Sequence, residues 1–323
     1  MFFNILHKGI LFSIKLSTIV RLGASLFIPL ATVATQFLER SGIAKSTLRS
    51  YELTLMPLLQ EYGRCPIEII GRQTLEEYLN GLTHLSYTTH HRHQAIVQAL
   101  FNFAVEKGYL QANPIARLRR RKPDQDLGEH ASDQLIRYLS SEQLFILYQT
   151  VASDWRMDAL VRLLHRSGAR ISEVLAMDLQ GMDLANRKFQ VVGKGNKQRW
   201  CFYSKDAAQV LEKYLKYYRH SDCPALFTAQ QRLTGQSSRL SYQTVHKYWT
   251  ALIKPHSELT GARIHDLRHT FATERVGLMG IEELRALMGH QNIQTTLRYQ
   301  KVTSGRAEAV AQKALNTLSN SQS

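Results

Sequence analysis

Apolar residues spaced three and four positions apart dominate this chain, the pattern of helices that bury one face. From about Ala34 to Ile115 the pattern is helical throughout. Ser46 and Thr47 read as caps of one helix, with Leu48, Tyr51 and Leu55 on one face. Thr74-Leu-Glu-Glu77 has capping-box spacing ahead of a second helix containing Tyr78 and Leu79. Ser86 to His93 leads into Ile96, Leu100, Phe103 and Val105, a third helix that stops at Lys107-Gly108, with Asn113-Pro114 beyond it. A second set opens at Ser140, whose spacing to Gln143 fits another capping box; Leu144, Leu147, Tyr148 and Val151 form its apolar face. Gly168 marks a turn into a further helix, and Phe189 to Tyr203 reads as two short strands joined by a Gly/Asn turn. Asp206 to Tyr218 (Val210, Leu211, Leu215) and Tyr242 to Ile253 (Val245, Trp249, Leu252) are helical again. So are the residues around Leu267, Phe271 and Ala272, a stretch from Thr295, and a tail from Arg306 to Leu318 with Ala307, Val310, Ala311 and Ala314 on one face.

The expected fold is therefore mainly α, with a small antiparallel sheet and two domains. The 323 residues suffice for two domains. The break falls at Arg117-Leu-Arg119-Arg120-Arg121-Lys122-Pro123, a basic run that reads as a linker lying along phosphates. A formal net charge of +15 points to a polyanionic partner, nucleic acid ahead of an anionic membrane. Residues 1–30 are rich in Ile, Leu and Phe, but Lys8, Lys15 and Arg21 interrupt them. No apolar run reaches the ~18 residues of a membrane span, and Lys15 and Arg21, lying where an apolar core should run, argue against a signal peptide ending near Ala31-Thr-Val-Ala34. Cys65, Cys201 and Cys223 are too few and too scattered for a disulfide framework or a zinc site, and read as free thiols.

Candidate chemistry concentrates in Arg263 to Val302. His265 and Arg268, three apart on a helix, point the same way. A guanidinium fork beside an imidazole suits a phosphate. Tyr299 follows His290 by nine residues, and a phenol can attack phosphorus where charge around it is neutralised. His265 and His269 have the spacing of a zinc pair, but Asp266 stands where a metalloprotease has glutamate, Arg268 would crowd the metal, and no third ligand is evident. His90, His91, Arg92 and His93 face different ways on their helix. They read as a solvated or phosphate-facing helix start, not a metal cluster.

With Arg170 in Gly168-Ala-Arg170-Ile-Ser-Glu173 and Lys194 in Gly193-Lys194-Gly195, the order Arg…Lys…His-x-x-Arg…His…Tyr resembles the tyrosine recombinase family, the site-specific DNA integrases and Xer-type resolvases. The resemblance runs from about Thr35 to beyond Tyr299. It implies a two-domain DNA clamp: an extension over 1–30, a helical SAM-like core-binding domain over 31–116, a linker over 117–132, and a catalytic domain over 133–323 whose last helix links protomers. It implies Tyr299 as nucleophile, forming a 3′-phosphotyrosyl bond and resolving through a Holliday junction. Arg170 and Arg268 would hold the phosphate, His290 would donate to it, His265 would help deprotonate Tyr299, and Lys194 would protonate the leaving oxygen, with Glu173 supporting the arginine. Arg92, Arg119, Arg120, Arg121, Lys122, Lys197 and Arg199 are expected on the DNA backbone. Neither metal nor other cofactor is expected, and the partners implied are DNA with inverted half-sites, further copies of the chain, and accessory proteins, in the cytoplasm with the nucleoid. A type IB topoisomerase and a non-catalytic DNA-binding relative stay open as alternatives. One departure is Trp200-Cys-Phe-Tyr203, more aromatic than the family's run there, which leaves the shape of the hairpin open.

Overall fold

A computed structural model describes residues 21–22, 25–124, 129, 136–193, 197–231 and 234–300. Lys194, the Arg306 to Leu318 tail, most of the amino-terminal extension and parts of the basic linker lie outside the described residues. The chain divides into two compact units, Met1–Gln134 and Leu135–Ser323.

In the first unit a two-residue ladder, β1 (Arg21–Leu22) with β2 (Ser25–Leu26), precedes four helices: α1 (Leu30–Leu38), α2 (Lys45–Tyr62), α3 (Arg72–Gly81) and α4 (Tyr87–Glu106). Leu30, Val33, Ala34 and Phe37 of α1 meet Leu55 and Leu58 of α2, Leu75 and Leu79 of α3, and Val97, Leu100 and Phe101 of α4 in one core. Two helix starts differ from the sequence expectation. Ala44 caps α2, and Gly71 caps α3, so Ser46, Thr47 and Thr74 lie inside their helices and make no cap. The first turn of α3 is supported instead by Arg72 on Glu76 (2.7 Å) and Gln73 on Glu77 (2.9 Å). Helix α4 does start after Ser86 and stops at Gly108, whose positive φ of 75° suits a residue without Cβ.

His90 and His93 are not solvated. Both are buried: His90 bonds the Leu79 carbonyl (2.9 Å) and His93 the Tyr78 hydroxyl (2.9 Å). Positions 90, 93, 97, 100 and 104 form the inward stripe of α4, and that spacing places the imidazoles in the core. Burial, with His90 and Arg92 nearby, pushes the His93 imidazole down to about 4. Of this group only Arg92 is exposed.

The second unit is organised on α6 (Trp155–Ser167), which packs against α8 (Lys205–Tyr217) and α10 (Asp266–Arg275). Around it lie α5 (Ser141–Val151), α7 (Ile171–Ala176), α9 (Tyr242–Ile253), α11 (Ile281–Met288) and α12 (Ile293–Leu297). Strands β3 (Met182–Asp183), β4 (Lys188–Val192) and β5 (Gln198–Phe202) form an antiparallel sheet in the order β3-β4-β5; β6 (Thr228–Gln230) and β7 (Ser237–Arg239) form a separate antiparallel pair. The capping box read at Ser140 is present with both of its bonds to Gln143. The β4–β5 hairpin is regular despite its aromatic second strand, pairing Lys188 with Phe202 through Val192 with Gln198. Trp200 and Phe202 face outward, Lys188 lies over the Trp200 ring, and Cys201 points into the core.

Candidate active site

Four chain segments meet at one place: the α6–α7 turn, the end of the β4–β5 hairpin where Val192 pairs with Gln198, α10, and α11 through Tyr299. Gly168 makes the first of these possible. It ends α6 with φ 64°, and a Cβ there would collide with the Phe271 ring of α10. The turn thus lies directly against α10, and the Gly168 carbonyl accepts a hydrogen bond from Arg268 Nη1.

Arg268 is 3% exposed. Its Nη2 donates to the Met288 carbonyl and to His290 Nε2 (3.2 Å). Arg199 Nε reaches the neighbouring Leu287 carbonyl (2.9 Å). Two cations therefore satisfy the open carbonyls at the C-terminus of α11, where the helix dipole is negative. Gly289 (φ 61°) turns the chain there, and His290 follows it into the site. A guanidinium offers no lone pair, so His290 Nε2 is the acceptor toward Arg268 and the ring proton resides on Nδ1, which donates to Thr296 (2.9 Å). Burial, then Arg268, Arg170 and Arg199, lower this imidazole to about 3. It is neutral at physiological pH.

Arg170 sits at the N-cap of α7. Its backbone N–H donates to Glu173 (2.7 Å), and its Nη1 donates to the other carboxylate oxygen (2.9 Å). Arg199 grips the same carboxylate with both terminal nitrogens (2.8 and 2.7 Å). Burial alone would raise the Glu173 carboxyl; the hydrogen bonds from Arg199 and Arg170 outweigh it and hold the group at about 2. Glu173 is thus a fixed anion between two arginines. Arg199, expected on the DNA backbone, is instead a strut: its guanidinium is taken up by Glu173 and the end of α11.

Tyr299 is 3% exposed and lies parallel to the His290 ring (6.3 Å, 4°). Burial pushes its phenol up, against Arg268, Arg298 and Arg170, which pull it down. Its hydroxyl is bonded to His269 Nδ1 at 2.9 Å. The expected neighbour was His265. That ring instead stands edge-on against His269 (4.7 Å, 88°), because Tyr299 approaches α10 one turn further along. No group of three or more His, Cys, Asp or Glu suited to a metal occurs among the described residues.

Beside this cluster opens a cavity of about 560 Å³ lined by Arg170, Gly193, Lys197, Arg285, His290 and Asn292 among others. Gly193 and Lys197 flank Lys194 in sequence. Lys197 is exposed at the rim, while Arg285, which the sequence reading passed over, reaches toward the His290 carbonyl (3.4 Å). In the first unit Arg119, Arg120 and Lys122 are exposed; Arg121 is bound to Glu129 (2.8 Å) and is not a free cation.

Residues 137–306, just over half of the chain, match the phage integrase family. The chain belongs to that family. Over 300 residues it is 30% identical to the tyrosine recombinase XerD of Mycobacterium leprae (strain TN), covering 82% of this chain and 89% of the relative. Its fold is that of the Tn1549 transposon integrase solved with a circular intermediate DNA (TM-score 0.67, 18% identity, 84% of this chain and 94% of that one). The lambda integrase tetramer on a Holliday junction is similar too (TM-score 0.64, 17% identity, 90% and 87% covered). The chain is accordingly a tyrosine recombinase, a site-specific DNA recombinase; the topoisomerase and the non-catalytic relative are not favoured.

Proposed function

We propose that this recombinase cuts DNA with Tyr299 as nucleophile, leaving a 3′-phosphotyrosyl bond and a free 5′-hydroxyl. The observation that carries this reading is the Tyr299 hydroxyl, buried beside Arg268 and His290 and already hydrogen-bonded to an imidazole. Arg170 and Arg268 bind the non-bridging oxygens and neutralise the charge that builds on phosphorus, as fixed cations do in a site shielded from water. Glu173 and Arg199 hold Arg170 and the end of α11 in register for that task. His290 donates to the same phosphate once Arg268 turns toward the substrate and Nε2 takes up a proton beside the anionic phosphate, His265 is a second imidazole on the α10 side, and Lys194 protonates the departing 5′-oxygen. The phosphotyrosyl bond conserves the energy of the broken one, so a 5′-hydroxyl from another duplex can attack it without ATP. Two such rounds pass through a Holliday junction.

The expected domain layout is part of this reading: core-binding domain over 31–116, linker over 117–132, catalytic domain over 133–323. Arg92, Arg119, Arg120, Lys122 and Lys197 lie on phosphates. Copies of the chain pair on inverted half-sites and form a tetramer in the synapse, with accessory proteins directing the outcome. Such a protein works in the cytoplasm, on the nucleoid or a mobile element; no described helix is long and apolar enough to cross a membrane.

Trapping on nicked duplex DNA tests the nucleophile. Wild-type protein should form a denaturant-stable adduct in EDTA, and Tyr299→Phe should bind the same DNA with no adduct. An adduct with Tyr299→Phe, or loss of the wild-type adduct in EDTA, contradicts the proposal.

A further inference from the structure

The nucleophile's hydroxyl touches a group outside the set that the resemblance implied. Among the described residues, His269 Nδ1 is the hydrogen-bond partner of the Tyr299 hydroxyl. The other groups around the phenol cannot take its proton. Arg170, Arg268 and Arg298 carry no lone pair. His290 has its Nε2 lone pair directed at Arg268 and its Nδ1 proton at Thr296. His265 packs edge-on against the His269 ring and makes no bond to Tyr299. We propose that His269 is a catalytic residue, the general base that takes the Tyr299 proton as the phenol attacks phosphorus.

The step balances. The Tyr299 Oη–P bond forms while the bond from phosphorus to the 5′-oxygen breaks, and the phenolic proton passes to His269 Nδ1. The leaving oxygen takes a different proton, assigned above to Lys194. On rejoining, the incoming 5′-hydroxyl gives up its proton on the leaving-group side, and His269 returns its own to the released phenol. Burial, together with His265, Arg263, Arg268 and Arg298, lowers His269 to about 4, so its lone pair is free at neutral pH. The phosphodiester brings a negative charge among these cations, which strengthens the imidazole as a base when substrate is bound. His265 is then a positioning residue, its ring fixing the plane of His269.

This inference rests on the reading of Tyr299 as nucleophile, and the experiment separates the two. Full-length wild-type protein first selects nicked duplexes from a random-sequence pool by covalent capture; failure at this stage counts against the Tyr299 reading itself. Adduct formation on a captured duplex is then timed for wild type, His269→Ala, His269→Gln and His265→Ala across pH. Both His269 variants should bind the duplex as wild type does, yet react about a hundredfold or more slowly near neutrality. Their deficit should shrink as pH approaches the phenol's own ionisation, at about 10 in water, and added imidazole should speed His269→Ala. Replacing the bridging 5′-oxygen by sulfur, a leaving group that needs no proton, should not rescue them. His265→Ala should show a deficit that does not change with pH. His269→Gln preserves a hydrogen-bonding side chain without a base, so it guards against misfolding of the alanine variant. The proposal is overturned if His269→Gln reacts within about threefold of wild type, below the range general base catalysis supplies. A deficit that is constant with pH, or that the sulfur substrate relieves, overturns it equally.

Discussion

At the scale of single residues, the site is built on a paired anion. Glu173 lies between Arg170 and Arg199 with its carboxyl held at about 2, against an ordinary value of 4.5. A depressed folded-state value means that the stabilisation is complete above the ordinary carboxylate range and is lost as pH falls from about 4.5 toward 2. Glu173→Gln would leave Arg199 buried without its counter-charge, at a cost of about 3 kcal/mol near neutrality. Urea unfolding should show that loss at pH 7, and the gap to wild type should narrow as pH falls from about 4.5, where the unfolded carboxyl takes up its proton, toward about 2, where the native one does. A gap unchanged with pH would mean that the charge pair is not its source. Much of this residue-level picture was legible in advance. The order Arg170, His265, Arg268, His290, Tyr299 identified the family, and the Arg170–Glu173 spacing suggested their pairing. The contacts of His269 and Arg199 were not legible, because both depend on which segments meet in three dimensions. His269 stood four residues from His265 and drew attention only as a zinc partner.

At the scale of elements, the ends of helices position the chemistry. The α6 C-terminus supplies the Gly168 carbonyl for Arg268, and the α11 C-terminus supplies Leu287 and Met288 for Arg199 and Arg268. Gly168→Ala would combine a left-handed backbone with a collision against Phe271. Strain and overpacking of this kind cost on the order of 3 kcal/mol. A lower urea midpoint, together with slower adduct formation by the remaining folded protein, is the expected result, because the shifted turn moves the Arg268 acceptor. Normal stability and rate would show that the turn has room to spare. Helix boundaries were only partly readable. The Ser140 box is real because its side chain faces an open first turn, whereas Ser46, Thr47 and Thr74 fit within a first turn as readily as ahead of it, and packing of α2 and α3 decides. In α4 residue type misled: His90 and His93 share a stripe with Val97 and Leu100, and that spacing, not their polarity, fixed their burial.

At the scale of the molecule, a net charge of +15 accompanies two units with separate cores, the second carrying all the described residues of the proposed active site. The charge indicates a polyanion, the family match over residues 137–306 indicates recombination of DNA, and the buried Tyr299 is the nucleophile we propose for it. The most direct test of the central claim is the identity of the attachment point. The trapped protein–DNA adduct, digested with nuclease and protease, should yield one modified peptide with nucleotide on Tyr299, linked through a 3′-phosphate. Nucleotide on any other side chain, or a 5′-phosphate linkage, would contradict the account.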